Sequence, residues 1–251
     1  MPHCGAVIIQ HLFERYFVMN YEVTKKYFKV VDESIPIKGY LALWIIGGIM
    51  TSFIAVAWPI GIIGILMIAL GILLLVLKKK KIKAEKDSIP TDSQYDSEVS
   101  KGLLGLKERA LNKLGLDEDE VKEIDPITFS GYYYKGYDNF KEGADGLYRT
   151  NKYRAVFLFF AKSEVHIYSC VFNTTEDVKR EETDVYFYRD IVSVATATEE
   201  IKFNEKTLYN SEFFKLTTSG GTTLDVSLRD VDGAQRSINA MRALLREKKQ
   251  G

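Results

Sequence analysis

A chain of 251 residues with 34 basic and 34 acidic side chains has no net charge, which excludes the strongly basic balance of a general nucleic-acid binder. Its two cysteines, Cys4 and Cys170, stand far apart, so no disulfide framework is indicated and both are expected reduced. The even balance conceals an asymmetry: 24 basic and 30 acidic residues follow Lys83, a local net charge of −6.

Residues 1–39 come first. Glu14 and Arg15 interrupt any apolar core, so this is not a secretory signal. Ile8, Leu12 and Tyr16 share one helical face, as do Val23, Tyr27 and Val30. Three readings stay open: amphipathic helices on a bilayer, a poorly ordered tail, or a translation start at Met19. Ile35-Pro36 ends any helix before the next segment.

From Gly39 to Leu77 there is no Asp, Glu, Lys or Arg. A bilayer core of about 30 Å takes roughly 20 apolar residues as helix, and this run is nearly twice that. Trp58-Pro59-Ile60-Gly61 breaks it, because Pro59 has no N–H for a helix interior. The expectation is a transmembrane hairpin over 40–77, with spans 40–58 and 59–77 joined by a very tight turn. Tyr40 and Trp58 are placed for the two interfaces. Gly47, Thr51 and Ala55 recur every four residues, as do Gly48 and Ser52, a spacing that lets helices approach closely in lipid. The second span carries Gly61, Gly64 and Gly71.

Basic residues flank both ends. Lys25, Lys26, Lys29 and Lys38 precede the run, and Lys78, Lys79, Lys80, Lys81 and Lys83 form a collar behind it. Positive flanks stay cytoplasmic, so two spans in a cell membrane place both termini in the cytoplasm. The collar is the expected membrane-surface contact. Residues 78–97 are collar and linker, of which 84–97 are polar, with Pro90 in the middle and no hydrophobic period.

Residues 98–125 are expected to be a helical leader. Val99, Leu103, Leu106, Ala110 and Leu114 form one stripe, Gly115 suits a C-terminal cap, and Asp117 with Glu120 predicts a second short helix through Ile124. Over 126–251 the texture changes to short aromatic and β-branched runs between polar turns. Strands are predicted at 127–134, 153–161, 164–172, 183–189, 191–196, 213–218 and 222–228, with a short one near Ile201. Lys162-Ser163 and Ser219-Gly220-Gly221 are the hairpin turns. A final helix over 233–249 carries Ala234, Ile238, Met241 and Leu245 as its apolar stripe, with Asp232 and Gln235 as its capping pair.

The stretches Tyr186-Phe-Tyr-Arg-Asp-Ile-Val-Ser-Val194 and Phe214-Lys-Leu-Thr-Thr-Ser-Gly-Gly-Thr-Thr-Leu-Asp-Val226, followed by one amphipathic helix, resemble bacterial pleckstrin-homology-like (PH-like) domains. The resemblance covers about 127–249. It implies an antiparallel barrel capped by a C-terminal helix, which with the expected two-helix transmembrane hairpin makes the chain α+β. Lys107–Tyr134 also resembles a leader found in bacterial membrane proteins, which implies no activity. Lipid-binding members of the family use a basic first hairpin. The residues here are Arg149, Lys152 and Arg154, a candidate anion or ligand loop, with a charge-mixed solvated loop as the alternative.

No sequence pattern announces chemistry. His3, His11 and His166 have no ligand-spaced partner, Gly220-Gly221 is not followed by Lys-Ser/Thr, and no nucleophile stands with a base. No enzyme activity, cofactor or metal is expected, and Cys170 is expected as a buried small residue in a strand. Tyr132, Tyr134 and Tyr137 form a candidate partner surface, with core positions as the alternative. The sequence thus points to a membrane-anchored module that recruits a protein partner to the inner leaflet without nucleic acid. The second reading is a receptor for a lipid headgroup or small anion.

Overall fold

The computed structural model describes residues 19–117, 121, 124–203 and 208–250. His3, Cys4, His11, the Ile8–Leu12–Tyr16 face and the Glu120 half of the Asp117 cap lie outside them. The chain divides into two units: residues 29–90, and the remainder, whose two parts flank that insertion.

The inserted unit is a helical hairpin of α2 (Ile37–Thr51) and α3 (Trp58–Asp87). The two helices run antiparallel through glycine contacts. A Cβ on Gly64 would lie 2.5 Å from the Gly47 carbonyl oxygen, and one on Gly71 would lie 2.7 Å from Trp44 Nε1. Close packing is therefore as the small-residue spacing predicts, but on one ridge only. Gly48 faces open space, and Ser52 and Ala55 are exposed.

The span lengths depart from expectation. Thr51 Oγ1 donates to the Gly47 carbonyl at 2.7 Å and Ser52 Oγ to Gly48 at 3.1 Å. These hydroxyls engage carbonyls at the helix end, and the chain then turns over residues 52–57. The turn lies ahead of Trp58 and is longer than a tight one. The 15-residue α2 rises about 22 Å, short of a bilayer core. In α3 the apolar stretch Trp58–Leu77 rises about 30 Å. Among the described residues, α3 is the one helix long and apolar enough to cross a membrane.

The collar and the first residues of the expected linker are helical too. α3 runs through Lys78–Lys83 to Asp87, and only four residues separate it from α4 (Asp92–Lys101). Thr91 and Gln94 form a capping box, with Thr91 N donating to Gln94 Oε1 at 2.9 Å. The polar linker expected over 84–97 is thus the end of one helix, a short turn and the start of the next.

The second unit is α+β. Its elements are α1 (Tyr21–Tyr27), α4, α5 (Leu106–Leu114), strands β1–β9 and α6 (Val231–Gln250). Sheet one has the order β1 (Ile127–Tyr132), β4 (Lys152–Phe160), β5 (Glu164–Asn173), β6 (Lys179–Phe187). Sheet two joins β7 (Ile191–Lys202), β8 (Leu208–Thr218) and β9 (Thr223–Ser227), so the strand expected near Ile201 is the end of β7. A small hairpin, β2 (Phe140–Glu142) with β3 (Tyr148–Thr150), stands apart. All pairings are antiparallel.

The sheets meet where β1 approaches β9. A Cβ on Gly131 would lie 2.3 Å from the Ser227 carbonyl oxygen, and Arg229 N donates to Ser130 O at 3.3 Å. Between β6 and β7 there is no pairing, so the barrel does not close.

Two cores explain why Tyr153–Phe160 is apolar at nearly every position. Val156, Leu158 and Phe160 join Phe214, Leu216, Val226 and the α6 residues Ala234, Ile238, Met241 and Leu245. Tyr153, Ala155, Phe157 and Phe159 face the other way, against Tyr27, Tyr95, Val99, Leu106 and Ala110. A strand covered on both faces loses the polar alternation. The predicted 98–114 helix is therefore a covering layer, broken at residues 102–105 into α4 and α5. A Cβ on Gly102 would lie 2.8 Å from the Phe172 ring, and Gly105 caps α5 at φ 72°. α1 joins the same layer instead of lying on a bilayer: Thr24 and Tyr27 are buried, while Val30 is exposed. The cap of α6 is Asp230 rather than Asp232, with Gly233 N donating to Asp230 Oδ1 at 2.9 Å.

Candidate functional site

Arg149 is the largest fully buried side chain, 2% exposed. Its Nε and Nη2 donate to Asp96 at 3.0 and 2.9 Å. Nη1 and Nη2 donate to Asp145 at 2.8 and 2.7 Å, and Nη1 also to Leu147 O at 3.3 Å. Five donors meet five acceptors, so the guanidinium has no donor left for an external anion. The hydrogen bonds from Arg149 hold the Asp145 carboxyl down at about 2 and raise the Arg149 pKa in turn. Asp96 also receives Arg229 Nη2 at 2.7 Å and the Tyr132 hydroxyl.

Lys152 and Arg154 are engaged as well. Lys152 Nζ donates to Gly136 O. Arg154 Nε donates to Ser169 Oγ at 3.0 Å and its Nη1 to Asp225 O at 2.7 Å, bridging the sheets beneath the Tyr133 ring. The three cations are therefore not one loop site: each closes a separate joint of the fold.

The three tyrosines also point inward. Tyr132 is 5% exposed, 6.3 Å ring to ring from Tyr95, and burial pushes its hydroxyl pKa up. Tyr134 packs on Phe203 and Tyr209, both at 5.8 Å. The Tyr137 hydroxyl donates to Phe203 O at 3.2 Å. Phe203 stacks on Phe140 and Tyr148 at 4.7 Å each, so these rings clip the β2–β3 hairpin onto the β7–β8 end. A Tyr-rich surface patch is thus an internal aromatic joint.

The other polar residues follow the same rule. The Glu181 carboxylate takes Arg109, Lys113 at 2.6 Å and the Tyr168 hydroxyl at 2.5 Å, and the Arg109 bonds first of all hold its pKa well below the usual range. His166 Nε2 lies 3.3 Å from Glu164 Oε1. Cys170 is buried, which pushes its thiol pKa up. Among the described residues, no group of His, Cys, Asp and Glu has metal-holding geometry.

Two surfaces keep charge available. The collar wraps around α3, with Lys79, Lys80, Lys81 and Lys83 exposed and Lys78 half-buried. The second surface was not singled out in the sequence. A groove of about 350 Å³ runs between the start of β7 and the last turns of α6. Val192, Ser193 and Val194 form one wall, and Arg242, Leu245, Arg246 and Lys249 the other. Arg242 Nε donates to Val194 O at 2.9 Å, and Lys249 Nζ to Ile191 O. The signal was present as Arg242, Arg246 and Lys249 at i, i+4 and i+7 on the helix, one face beside the apolar stripe.

No protein-family model matches the chain, and comparison with curated proteins and with solved structures finds no match.

Proposed function

We propose that the chain is a membrane-anchored scaffold whose PH-like domain holds a protein partner at the inner leaflet. The observation that carries this reading is the inserted hairpin. Its large apolar residues face outward, and it ends in exposed lysines directly joined to a folded domain. Both α2 and α3 cross the bilayer in this reading, the apolar turn at residues 52–57 making up the short length of α2. Lys29 meets Glu85 and Lys86 meets Glu33, each at 2.6 Å, which keeps the two flanks of the hairpin side by side. That pairing supports both termini being cytoplasmic. The collar lysines then lie at anionic headgroups, each contributing on the order of 1 kcal/mol.

The PH-like assignment is supported by the two antiparallel sheets, in which β4–β5–β6 and β7–β8–β9 pair consecutively, and by α6 packed across their core. The partner surface moves from the tyrosines to the groove beside β7, whose outer edge is unpaired in sheet two.

Cysteine labelling in intact cells tests the anchor. In a background lacking Cys4 and Cys170, a cysteine at Ser88 is shielded from an impermeant reagent, and one at Val56, 89% exposed in the turn, is labelled. The reverse pattern refutes the orientation. Photo-crosslinking tests recruitment: a probe at Val192 yields a defined protein adduct in cells, whereas one at exposed Val178 does not.

A further inference from the structure

We infer that the β7–α6 groove binds an extended acidic segment of the protein partner, one that carries small apolar residues among its carboxylates. This inference rests on the scaffold reading and specifies its partner. Three observations converge on that chemistry.

The first is charge. Arg242, Arg246 and Lys249 line the groove, and among the described residues no carboxylate pairs with any of them. This stands out because the part of the chain beyond Lys83 is acidic, and Arg149, Arg109 and Arg229 are all ion-paired.

The second is donor geometry. Arg242 spends Nε on Val194 O, and Arg246 spends Nε on Arg242 O at 3.3 Å. Each backbone contact fixes a guanidinium while leaving its Nη groups for an incoming carboxylate.

The third is the apolar wall. Val192, 58% exposed, and half-buried Val194 stand two residues apart on one strand, with Leu245 beneath the cations. The pairing of β7 with β8 is irregular between Ile191 and Ser193, which leaves Val192 unpaired and turned to solvent beside Val194, so the two valines offer an apolar strip to small apolar side chains of a ligand. The Ile191 and Val194 carbonyls are already capped by Lys249 and Arg242, so recognition comes from side chains rather than from strand addition. A compact anion would satisfy the charges and leave the apolar wall uncovered, which is why a peptide is the better occupant.

The test uses the full chain in nanodiscs of zwitterionic lipid. The probe is a fluorescein-labelled octapeptide alternating Glu and Val, with its Lys–Val counterpart as control. Binding of the acidic probe is expected, together with shifts of the Val192, Val194 and Leu245 methyl resonances and none at Val185. Arg246→Glu should weaken it by about tenfold or more. Arg236→Glu makes the same charge change at an exposed α6 position outside the groove and should leave affinity within about twofold. Absence of binding at millimolar probe, equal loss in both variants, or methyl shifts elsewhere would each overturn the proposal. Such a failure leaves the anchor standing, because the cysteine labelling reads topology independently.

Discussion

The hairpin and the domain use the same apolar residues in opposite ways. In the hairpin, Ile45 is 54% and Leu66 62% exposed, and the contact between helices is made by glycines. In the domain, Leu158 and Ile167 are buried, and large side chains fill two continuous cores. Water drives the second arrangement, since buried apolar area is stabilising only where it leaves water. In the lipid setting proposed for the hairpin that drive between helices would vanish, and close backbone approach would take over. An isoleucine therefore does not declare its environment. The density of charge around it does.

The contrast breaks first if the domain is cut at the wrong place. A fragment beginning at residue 98 removes α1 and most of α4, uncovers one face of sheet one, and strips Asp96 from Arg149. It should lack near-ultraviolet circular dichroism and bind a hydrophobic dye. Replacing residues 29–90 by a short Gly-Ser link instead should leave a folded, cooperative domain, because Tyr27 and Tyr95 stack at 4.2 Å across the insertion.

Within the domain, Met241→Asp places a charge in the inner core, where the native side chain is wholly buried. A loss of about 5 kcal/mol in denaturant midpoint analysis is expected. Arg149→Met leaves Asp145 without its cation and Asp96 with Arg229 alone, and should cost about 3 kcal/mol.

The hairpin should respond to size rather than charge. Gly64→Leu forces the helices apart, since even a Cβ lies 2.5 Å from Gly47 O. It should cost about 1–3 kcal/mol in the hairpin and leave the melting temperature of the domain unchanged. A coupled shift in both would show that the two units unfold as one.

The smallest effect is acid sensitivity. Asp145 has its folded pKa depressed from 3.8 to about 2, so its contribution is present above pH 3.8 and is lost as pH falls through about 2. Its side chain is 46% exposed, and solvent screening keeps the contribution below about 1 kcal/mol. Asp145→Asn should flatten the stability curve over that window and leave neutral pH nearly unaffected.

Local periodicity carries part of this architecture by itself. The charge-free run, the break near Pro59, the central strands and the α6 stripe are all properties of neighbouring residues, so they can be read before folding. The groove was half legible for the same reason: its cations share a helical face, but nothing local says that β7 lies beside them.

What the tertiary structure alone decided is partner choice. Arg149 reads as a loop cation until Asp96, 53 residues earlier, closes on it. Tyr132 reads as surface because the helices covering sheet one come from both sides of an inserted hairpin, and Tyr134 because the Phe203 and Tyr209 rings that meet it lie about 70 residues onward. Side-chain type fixes what a residue can bond to, and only the folded chain fixes which partner arrives. A buried donor must be satisfied internally, so that arrival turns candidate binding residues into structural ones.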